Sequence, residues 1–182
     1  DLIHLPRRKR KDLDARRAAL HQAELAILCL PDPAAREAVR LAEGSNTKII
    51  DSSTAHRTSK DWVYGFPEMS AEQPIRIASA PQVSNPGCYA TGVIVLIRPL
   101  ISAGLIPDDF SLSINAVSGY SGGGNTLISR MEASESKDGI KSNYFSYGLN
   151  LDHKHVAEMM VHSGLKARPI FVPSVGRFRQ GM

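Results

Sequence analysis

The sequence lacks the features that mark membrane and secreted proteins. None of its apolar runs reaches the roughly 18 residues of a membrane span, and no secretory signal precedes the basic run after Asp1-Leu2-Ile3-His4. It has only two cysteines, Cys29 and Cys88, which are too few for a disulfide framework. We therefore expect a cytoplasmic protein with no membrane segment.

Outside residues 1–17 the chain has no excess of positive or negative charge. The whole net charge of +4 comes from residues 1–17, which include the run "PRRKRK". No aromatic residues are interleaved with these basic side chains, and no nucleic-acid-binding motif follows them. A solvated loop explains the run better than a nucleic-acid-binding surface, so we expect no nucleic acid partner.

The first half of the chain alternates short apolar runs with helical patterns, which predicts an α/β fold with a mostly parallel, doubly wound sheet. The continuous run "ELAILCLP" favours a strand buried on both faces, with Cys29 as a buried structural thiol. The predicted strands are "DLIHL", "ELAILCLP", "TKIIDSS" and "RIASAP", and the predicted helices are residues 12–22, "PDPAAREAVRLAEGS" and "CYATGVIVLIRPLISAG".

The texture of the sequence changes at Pro107, where a second domain is expected to begin. A strand in "FSLSINAVSGYSGGGN" runs into a glycine-rich loop, and a short helix around "HKHVAEMMVHSGL" and a strand in "PIFVPSV" follow. We therefore predict a parallel-sheet domain over residues 1–105 and an α+β domain over residues 106–182.

Cys88 is the first candidate for chemistry. It follows Asn85, Pro86 and Gly87, and the predicted apolar helix begins at or just after it. The N-terminus of a helix stabilises an anion, so this position favours a nucleophilic thiolate. A buried cysteine that merely starts a helix is the alternative.

A second candidate is the segment "LDHKHVAE". Glu158 lies three residues after His155, a spacing that places both on one helix face. Glu158 can therefore orient His155, which can serve as general acid/base to a thiolate. His153 lies two residues before His155, with Lys154 between them. A surface helix with incidental histidines and a metal site are the alternatives, although a zinc site needs further ligands.

Two weaker candidates bind anions. The glycine-rich "SGYSGGGN" can present backbone N–H groups to an anion, but it is not a Walker A loop and is equally a flexible turn. Arg57 follows the strand "TKIIDSS", at the strand end where α/β sheets place ligands. Its guanidinium suits a phosphate or a carboxylate, and an ordinary surface arginine is the alternative.

The order of these motifs resembles one family. "SNPGCYATG", "AVSGYSGGGN", "HKHVAEM" and "FVPSVGRFRQGM", preceded by "AILCLPD", "IIDSSTAHR" and "YGFPEM", are similar to the shorter bacterial N-acetyl-gamma-glutamyl-phosphate reductases of arginine biosynthesis. The resemblance covers essentially the whole chain. It implies a Rossmann-type domain followed by an α+β substrate and dimerisation domain, as in glyceraldehyde-3-phosphate dehydrogenase.

The resemblance also implies a reaction and its residues. Cys88 would attack the acyl phosphate of N-acetylglutamyl phosphate, expel phosphate and form a thioester, which NADPH would reduce to the semialdehyde. A homo-oligomer, dimer or tetramer, and no metal are implied. The catalytic residues would be Cys88, His155, Glu158 and His153; the substrate-binding residues Asn85, Arg57, Ser118, Gly119, Tyr120 and Lys154; and the cofactor-binding residues Arg7, Arg8, Leu30, Pro31, Ser118 and Gly119.

The chain departs from the family at its ends. The N-terminal strand and glycine-rich phosphate loop of the family are absent, as is the segment that follows Met182. We therefore expect the 182 residues alone to be unstable or inactive and the longer parent to be active. The rival interpretations are an aspartate-semialdehyde-dehydrogenase-like enzyme, a non-catalytic Rossmann-type module and a nucleic-acid binder that uses Arg7 to Lys11.

Overall fold

A computed structural model describes all residues from Asp1 to Met182. It divides the chain into two compact units, Asp1–Gly87 and Cys88–Met182. The boundary expected at about Leu105 differs from this division because the helix that begins at Cys88 packs within the second unit. Cys88 is therefore the first residue of the second unit.

The first unit is built on a parallel sheet. Its strands are β1 (Leu25–Leu28), β2 (Lys48–Asp51), β3 (Val63–Tyr64) and β4 (Gln82–Ser84), in the order β1-β2-β4-β3. Every pairing is parallel, and Asp51 at the end of β2 lies in register with both Leu28 and Ser84. The carboxyl ends of the strands therefore lie at one edge of the sheet.

Three helices complete the first unit: α1 (Leu13–Gln22), α2 (Asp32–Leu41) and α3 (Gln73–Ser79). Asp12 caps α1, because its carboxylate accepts from the amides of Asp14 and Ala15. Asp32 does not cap α2; its carboxylate instead binds the amide and hydroxyl of Thr54. A core cluster joins β1, β2 and α2 and consists of Leu28, Ala38, Ala42 and Ile49, with Leu20 and Trp62 packed against it.

Three predictions for this unit are wrong. "DLIHL" is not a strand, because no neighbouring strand pairs with it. "RIASAP" falls mostly within helix α3, where Pro74 occupies the first turn and the buried Gln73 donates to the carbonyl of Tyr64 at 2.5 Å. Strand β1 lies at the edge of the sheet, so Ile27 is 63% exposed and Cys29 is exposed rather than buried.

The second unit combines a mixed sheet with three helices. Strand β5 (Ser113–Gly119) pairs in parallel with β7 (Ile170–Gly176), and β6 (Tyr144–Ser146) pairs antiparallel with β7. The helices are α4 (Cys88–Ser102), α5 (Gly124–Glu132) and α6 (His155–Ser163). Helices α4 and α6 pack together, and buried Val93, Ile94, Val156, Met159 and Phe171 form the apolar interior of this unit.

The glycine-rich segment is ordered structure rather than an open loop. After β5 the chain forms a 3-10 turn, Tyr120–Gly123, and then α5, where Gly124 adopts a φ of 73°. The amides of Gly119, Tyr120 and Ser121 donate to the carbonyls of Gly181, Phe178 and Arg179. These three amides are consequently used within the protein, so the anion-binding role considered for them is not available in this arrangement.

The predicted α/β class is confirmed, with a parallel sheet and helices in one unit and a mixed sheet and helices in the other. Helix α4 is the longest, with 15 residues, and no helix combines the length and apolar character that crossing a membrane requires.

Candidate active site

Cys88 occupies the position that the sequence predicts for it. Helix α4 begins at Cys88, after the buried Gly87, and the cysteine is exposed and forms no disulfide. The apolar residues that follow, among them Val93 and Ile94, hold the helix in the core. A thiol at the first position of a helix, open to solvent, can react with an electrophile in the favourable field of the helix N-terminus.

Tyr89 connects the first turn of α4 to the sheet. It is buried, and its hydroxyl oxygen lies 2.9 Å from Ser118 Oγ on β5 and 2.9 Å from the carbonyl oxygen of Ser174 on β7. Its ring contacts those of His153 and His155, with centroids 6.0 Å and 5.9 Å away. The residue next to Cys88 therefore lies among three of the predicted site residues.

The two histidines lie together at the start of α6. Their ring centroids are 4.7 Å apart, in an edge-to-face arrangement. His155 is 6% exposed and His153 is half-buried. Burial, followed by the nearby charge of Lys154, lowers the pKa of His153, whereas Glu158 acts in the opposite direction. A neutral imidazole in this position can accept a proton.

Glu158 and Lys154 differ sharply in their surroundings. Glu158 is 1% exposed on α6, three residues after His155, whereas the side chain of Lys154 faces solvent. A carboxylate buried to this extent needs polar partners within the protein. The predicted pairing of Glu158 with His155 has the required position on one face of α6, and its orienting role stays a prediction.

The residues of the segment from Ser118 to Tyr120 make different contacts. Ser118 contacts Tyr89, as described above. Gly119 lies against the backbone of Arg179, whose carbonyl oxygen would be 2.7 Å from a Cβ at this position. The hydroxyl of Tyr120 lies 3.4 Å from the carboxylate of Glu132, so Tyr120 is the member of this segment that extends along α5.

Tyr147 belongs to the same cluster but was missed by sequence reasoning. Its ring lies edge to face with His153 at 5.8 Å, and its amide donates to the carbonyl of Pro173. Burial, a hydrogen bond with Tyr89 and the nearby Cys88 all raise the pKa of Tyr147, with burial the largest cause. Only its proximity to "LDHKHVAE" in the sequence could have suggested it.

The first unit has a separate polar cluster where β2 ends. Asp51 is fully buried, and its carboxylate accepts from the amide and hydroxyl of Ser53 and pairs with Nδ1 of His56 at 2.6 Å. The ring of His56 stacks on Trp62 with centroids 4.2 Å apart. Sequence reasoning selected only Arg57 from "DSSTAHR", although the pattern of Asp51 and His56 was visible there.

Arg57 and Asn85 both lie beside this cluster. Arg57 is 8% exposed, and its Nη2 donates to the carbonyl of Ser52 at 2.8 Å. Asn85 is exposed, and its backbone amide donates to the carbonyl of Asp51 at 2.7 Å. The structure therefore brings both residues to the carboxyl end of the parallel sheet, the edge where α/β folds bind ligands.

Four of the six residues predicted to bind a cofactor, Arg7, Arg8, Leu30 and Pro31, lie in the first unit. Arg7 and Arg8 form a 3-10 turn with Lys9, and neither guanidinium forms an ion pair. Leu30, followed by the exposed Pro31, lines an apolar cavity of about 280 Å³ with Leu5 and Leu20. A guanidinium is suited to a phosphate group, so the role predicted for Arg7 and Arg8 is chemically feasible and stays a prediction.

Comparison with known families agrees with this division of the chain. The family model described as "Semialdehyde dehydrogenase, NAD binding domain" matches residues 4–77, and the one described as "Semialdehyde dehydrogenase, dimerisation domain" matches residues 88–182. Among curated proteins, the N-acetyl-gamma-glutamyl-phosphate reductase of Brucella ovis is 55% identical over 183 aligned residues. That alignment covers 100% of this chain and 59% of the relative, so the chain spans about three fifths of that relative's length.

Solved structures show the same fold. Aspartate semialdehyde dehydrogenase II from Vibrio cholerae matches with a TM-score of 0.65 at 14% identity, over 88% of this chain and 53% of that one. The enzyme from Francisella tularensis matches with a TM-score of 0.61 at 11% identity, over 91% and 57%. The resemblance found in the sequence motifs is thus confirmed, and the chain belongs to the semialdehyde dehydrogenase family.

Proposed function

We propose that this chain is the part of an N-acetyl-gamma-glutamyl-phosphate reductase that carries the nucleophile Cys88. The full-length enzyme would convert N-acetylglutamyl phosphate and NADPH to N-acetylglutamate semialdehyde, phosphate and NADP, in the cytoplasm and as a homo-oligomer. The observation that carries the proposal is the exposed Cys88 at the start of α4, in the unit that also holds the paired His153 and His155. The 55% identity to the Brucella ovis reductase supports the choice of substrate.

The chemistry begins with the thiol. The Cys88 thiolate attacks the acyl carbon, a C–S bond forms, and the bond from carbon to the phosphate oxygen breaks to release phosphate. A thioester is left on Cys88. Addition of a hydride to the acyl carbon, and of the proton first taken from the thiol to the acyl oxygen, gives a thiohemiacetal. Its collapse breaks the C–S bond and releases the aldehyde, the thiolate and the hydroxyl proton.

The histidines would move the protons. His155 is buried at the start of α6, close to the ring of Tyr89, and would take the thiol proton and later the hydroxyl proton of the thiohemiacetal. Glu158 would hold His155 in orientation, and His153 would support it from the adjacent position. In the first unit, Asn85 and Arg57 would bind the substrate or the departing phosphate. In the second unit, the substrate-binding candidates are Lys154, Ser118, Gly119 and Tyr120.

The nicotinamide cofactor supplies the two electrons as hydride when it is bound. Within the first unit, Arg7 and Arg8 would bind its 2′-phosphate, and Leu30 and Pro31 would also contact it. Ser118 and Gly119 are the cofactor-binding candidates of the second unit. A guanidinium suits the 2′-phosphate that distinguishes NADP from NAD. Replacing Arg7 and Arg8 by alanine should raise KM for NADPH about tenfold and leave KM for NADH almost unchanged. An equal rise in KM for NADPH and NADH would refute the assignment of Arg7 and Arg8 to the 2′-phosphate.

The function is tested on the full-length gene product with two matched variants. Cys88→Ala removes the proposed nucleophile, and Cys29→Ser changes the other exposed cysteine. Phosphate-dependent oxidation of N-acetylglutamate semialdehyde by NADP gives the rate, and aspartate semialdehyde serves as the competing substrate. We expect Cys88→Ala to lower kcat by at least about a thousandfold and Cys29→Ser to leave it within about twofold.

Other outcomes lead to other conclusions. Activity of Cys88→Ala close to that of the wild type would refute the covalent mechanism. A preference for aspartate semialdehyde would identify the aspartate enzyme instead. No activity with either substrate, and no difference in alkylation between the two cysteines, would favour a non-catalytic module.

A further inference from the structure

Tyr89 lies where it can control the geometry of its neighbour Cys88. It is the second residue of α4, and it is 3% exposed although Cys88 itself is exposed. Its hydroxyl contacts Ser118 near the end of β5 and Ser174 within β7, each at 2.9 Å. One side chain thus fixes the first turn of α4 to two paired strands.

The hydroxyl of Tyr89 is the donor to both strands. A phenol carries a single proton, and a carbonyl oxygen can only accept. The proton of Tyr89 is therefore shared between the hydroxyl oxygen of Ser118 and the carbonyl oxygen of Ser174. The phenol oxygen is held between β5 and β7, which fixes the position of the tyrosine.

The ring of Tyr89 is fixed as firmly as its hydroxyl. Phe171 packs against it edge to face at 5.3 Å, His153 lies edge to face at 6.0 Å, and His155 lies at 5.9 Å. Aromatic pairs at such distances and angles attract each other beyond simple burial. The ring therefore sets the distance between the turn that bears Cys88 and the two histidines.

We propose, on the basis of the function proposed above, that Tyr89 is a positioning residue for the reaction of Cys88. Its hydroxyl fixes the first turn of α4 against β5 and β7, and its ring separates that turn from His153 and His155 by a constant distance. Loss of the hydroxyl alone leaves the ring packing in place but releases the turn. The thiol then spends less time in the orientation that reaction requires.

The test compares two tyrosine-to-phenylalanine variants of the full-length gene product, each in a Cys29→Ser background. Tyr89→Phe removes the buried hydroxyl. Tyr144→Phe is the control, because its 53% exposed tyrosine also binds Ser174, through Oγ at 2.7 Å, but lies on β6 rather than beside Cys88. Both variants remove one phenol hydroxyl from Ser174.

Two measurements follow. Steady-state kinetics should give kcat about tenfold lower for Tyr89→Phe with KM for the acyl substrate within about twofold, since the substrate contacts remain. Alkylation of Cys88 by iodoacetamide, followed between about pH 6 and pH 9, should be about fivefold slower near neutral pH in Tyr89→Phe. Tyr144→Phe should match the wild type in both.

The outcomes separate this proposal from the proposed function. Equal kcat and equal alkylation in the two variants would overturn the role of Tyr89. If the wild type reduces no acyl phosphate, the proposed function fails, but the alkylation comparison still decides whether Tyr89 positions the thiol. If Tyr89→Phe does not fold, Ser118→Ala removes one of the two acceptors of the Tyr89 hydroxyl, and unchanged alkylation in that variant would also overturn the proposal.

Discussion

The backbone amide of His155 donates a hydrogen bond to Nδ1 of His153, 3.1 Å away. The next amide, that of Val156, donates to the carbonyl oxygen of His153 at 2.9 Å. His153 thus satisfies two of the amides that the start of α6 would otherwise leave without a partner. Only an unprotonated Nδ1 can accept, so the neutral ring is the form that fits this helix end.

Stability should fall in acid because of His153. Burial and the charge of Lys154 lower its pKa from the ordinary value of 6.5, so below about pH 6.5 the unfolded chain binds more protons than the folded one. The contribution of His153 is therefore present above that pH and is lost as the pH falls through it towards the lower pKa of the folded state. His153→Asn keeps an acceptor and removes the titration.

Urea midpoints at neutral and mildly acidic pH measure this effect. The wild type should lose more stability on acidification than His153→Asn, and His4→Gln in the first unit is the control substitution. The same loss in the wild type and in His153→Asn would contradict the assignment.

Two tyrosines should ionise at opposite ends of an alkaline titration. Burial and its hydrogen bond with Tyr89 raise the pKa of Tyr147 above the ordinary 10.0, whereas the hydroxyls of Ser174 and Ser146 lower the pKa of Tyr144. The absorbance of tyrosinate follows the titration of the five tyrosines. Tyr147→Phe should remove the last step and Tyr144→Phe an early one; an unchanged late step in Tyr147→Phe would disprove the prediction.

Two nearby glycines should respond differently to alanine. A Cβ at Gly119 would lie 2.7 Å from the carbonyl oxygen of Arg179, which is backbone and cannot easily yield, whereas a Cβ at Gly122 would meet nothing closer than Ser118 Oγ at 3.7 Å. Gly119→Ala should cost about 1–3 kcal/mol of unfolding free energy, as overpacking does, and Gly122→Ala about 0.5 kcal/mol or less. Urea denaturation of the pair gives the comparison. Equal values would show that the C-terminal segment moves aside without cost.

Removal of the Asp51 carboxylate should destabilise the first unit. Asp51 is fully buried and accepts from two groups of Ser53 and pairs with His56, so Asp51→Ala leaves these donors without their partner. We expect a loss of about 3 kcal/mol, against about 0.5 kcal/mol or less for the exposed Asp61→Ala. The fluorescence of the single tryptophan, Trp62, reports the change because its ring stacks on His56. Coincident unfolding curves for the two variants would refute the prediction.

Local sequence patterns were sufficient where a helix end depends on nearby residues. Pro86 and Gly87 followed by an apolar run predicted that α4 begins at or just after Cys88, and the helix predicted over residues 12–22 corresponds to α1. The same reasoning failed for "RIASAP", whose alternating pattern suits a strand. The buried bond from Gln73 to Tyr64 helps to determine the helix there, and a local pattern does not contain that contact.

Contacts between residues that are distant along the chain could not be predicted from local sequence patterns. Tyr89 meets Ser118 and Ser174, which are 29 and 85 residues away along the chain, so no spacing rule connects them. The exposure of Cys29 likewise depends on the place of β1 at the sheet edge rather than on its apolar neighbours. Local patterns supplied the catalytic candidates and the family resemblance their roles, but neither identified Tyr89 or Tyr147.

The amides of Gly119, Tyr120 and Ser121 are already bonded to the segment that ends the chain. A ligand that approaches this segment would therefore meet side chains rather than backbone. Backbone amides that bind a ligand are largely retained when side chains change, whereas a contact made by a side chain is altered by a single substitution. If the proposed substrate binds at this end of β5, its recognition would depend on the side chains of Ser118 and Tyr120, and laboratory selection at these two positions should alter it without rebuilding the fold.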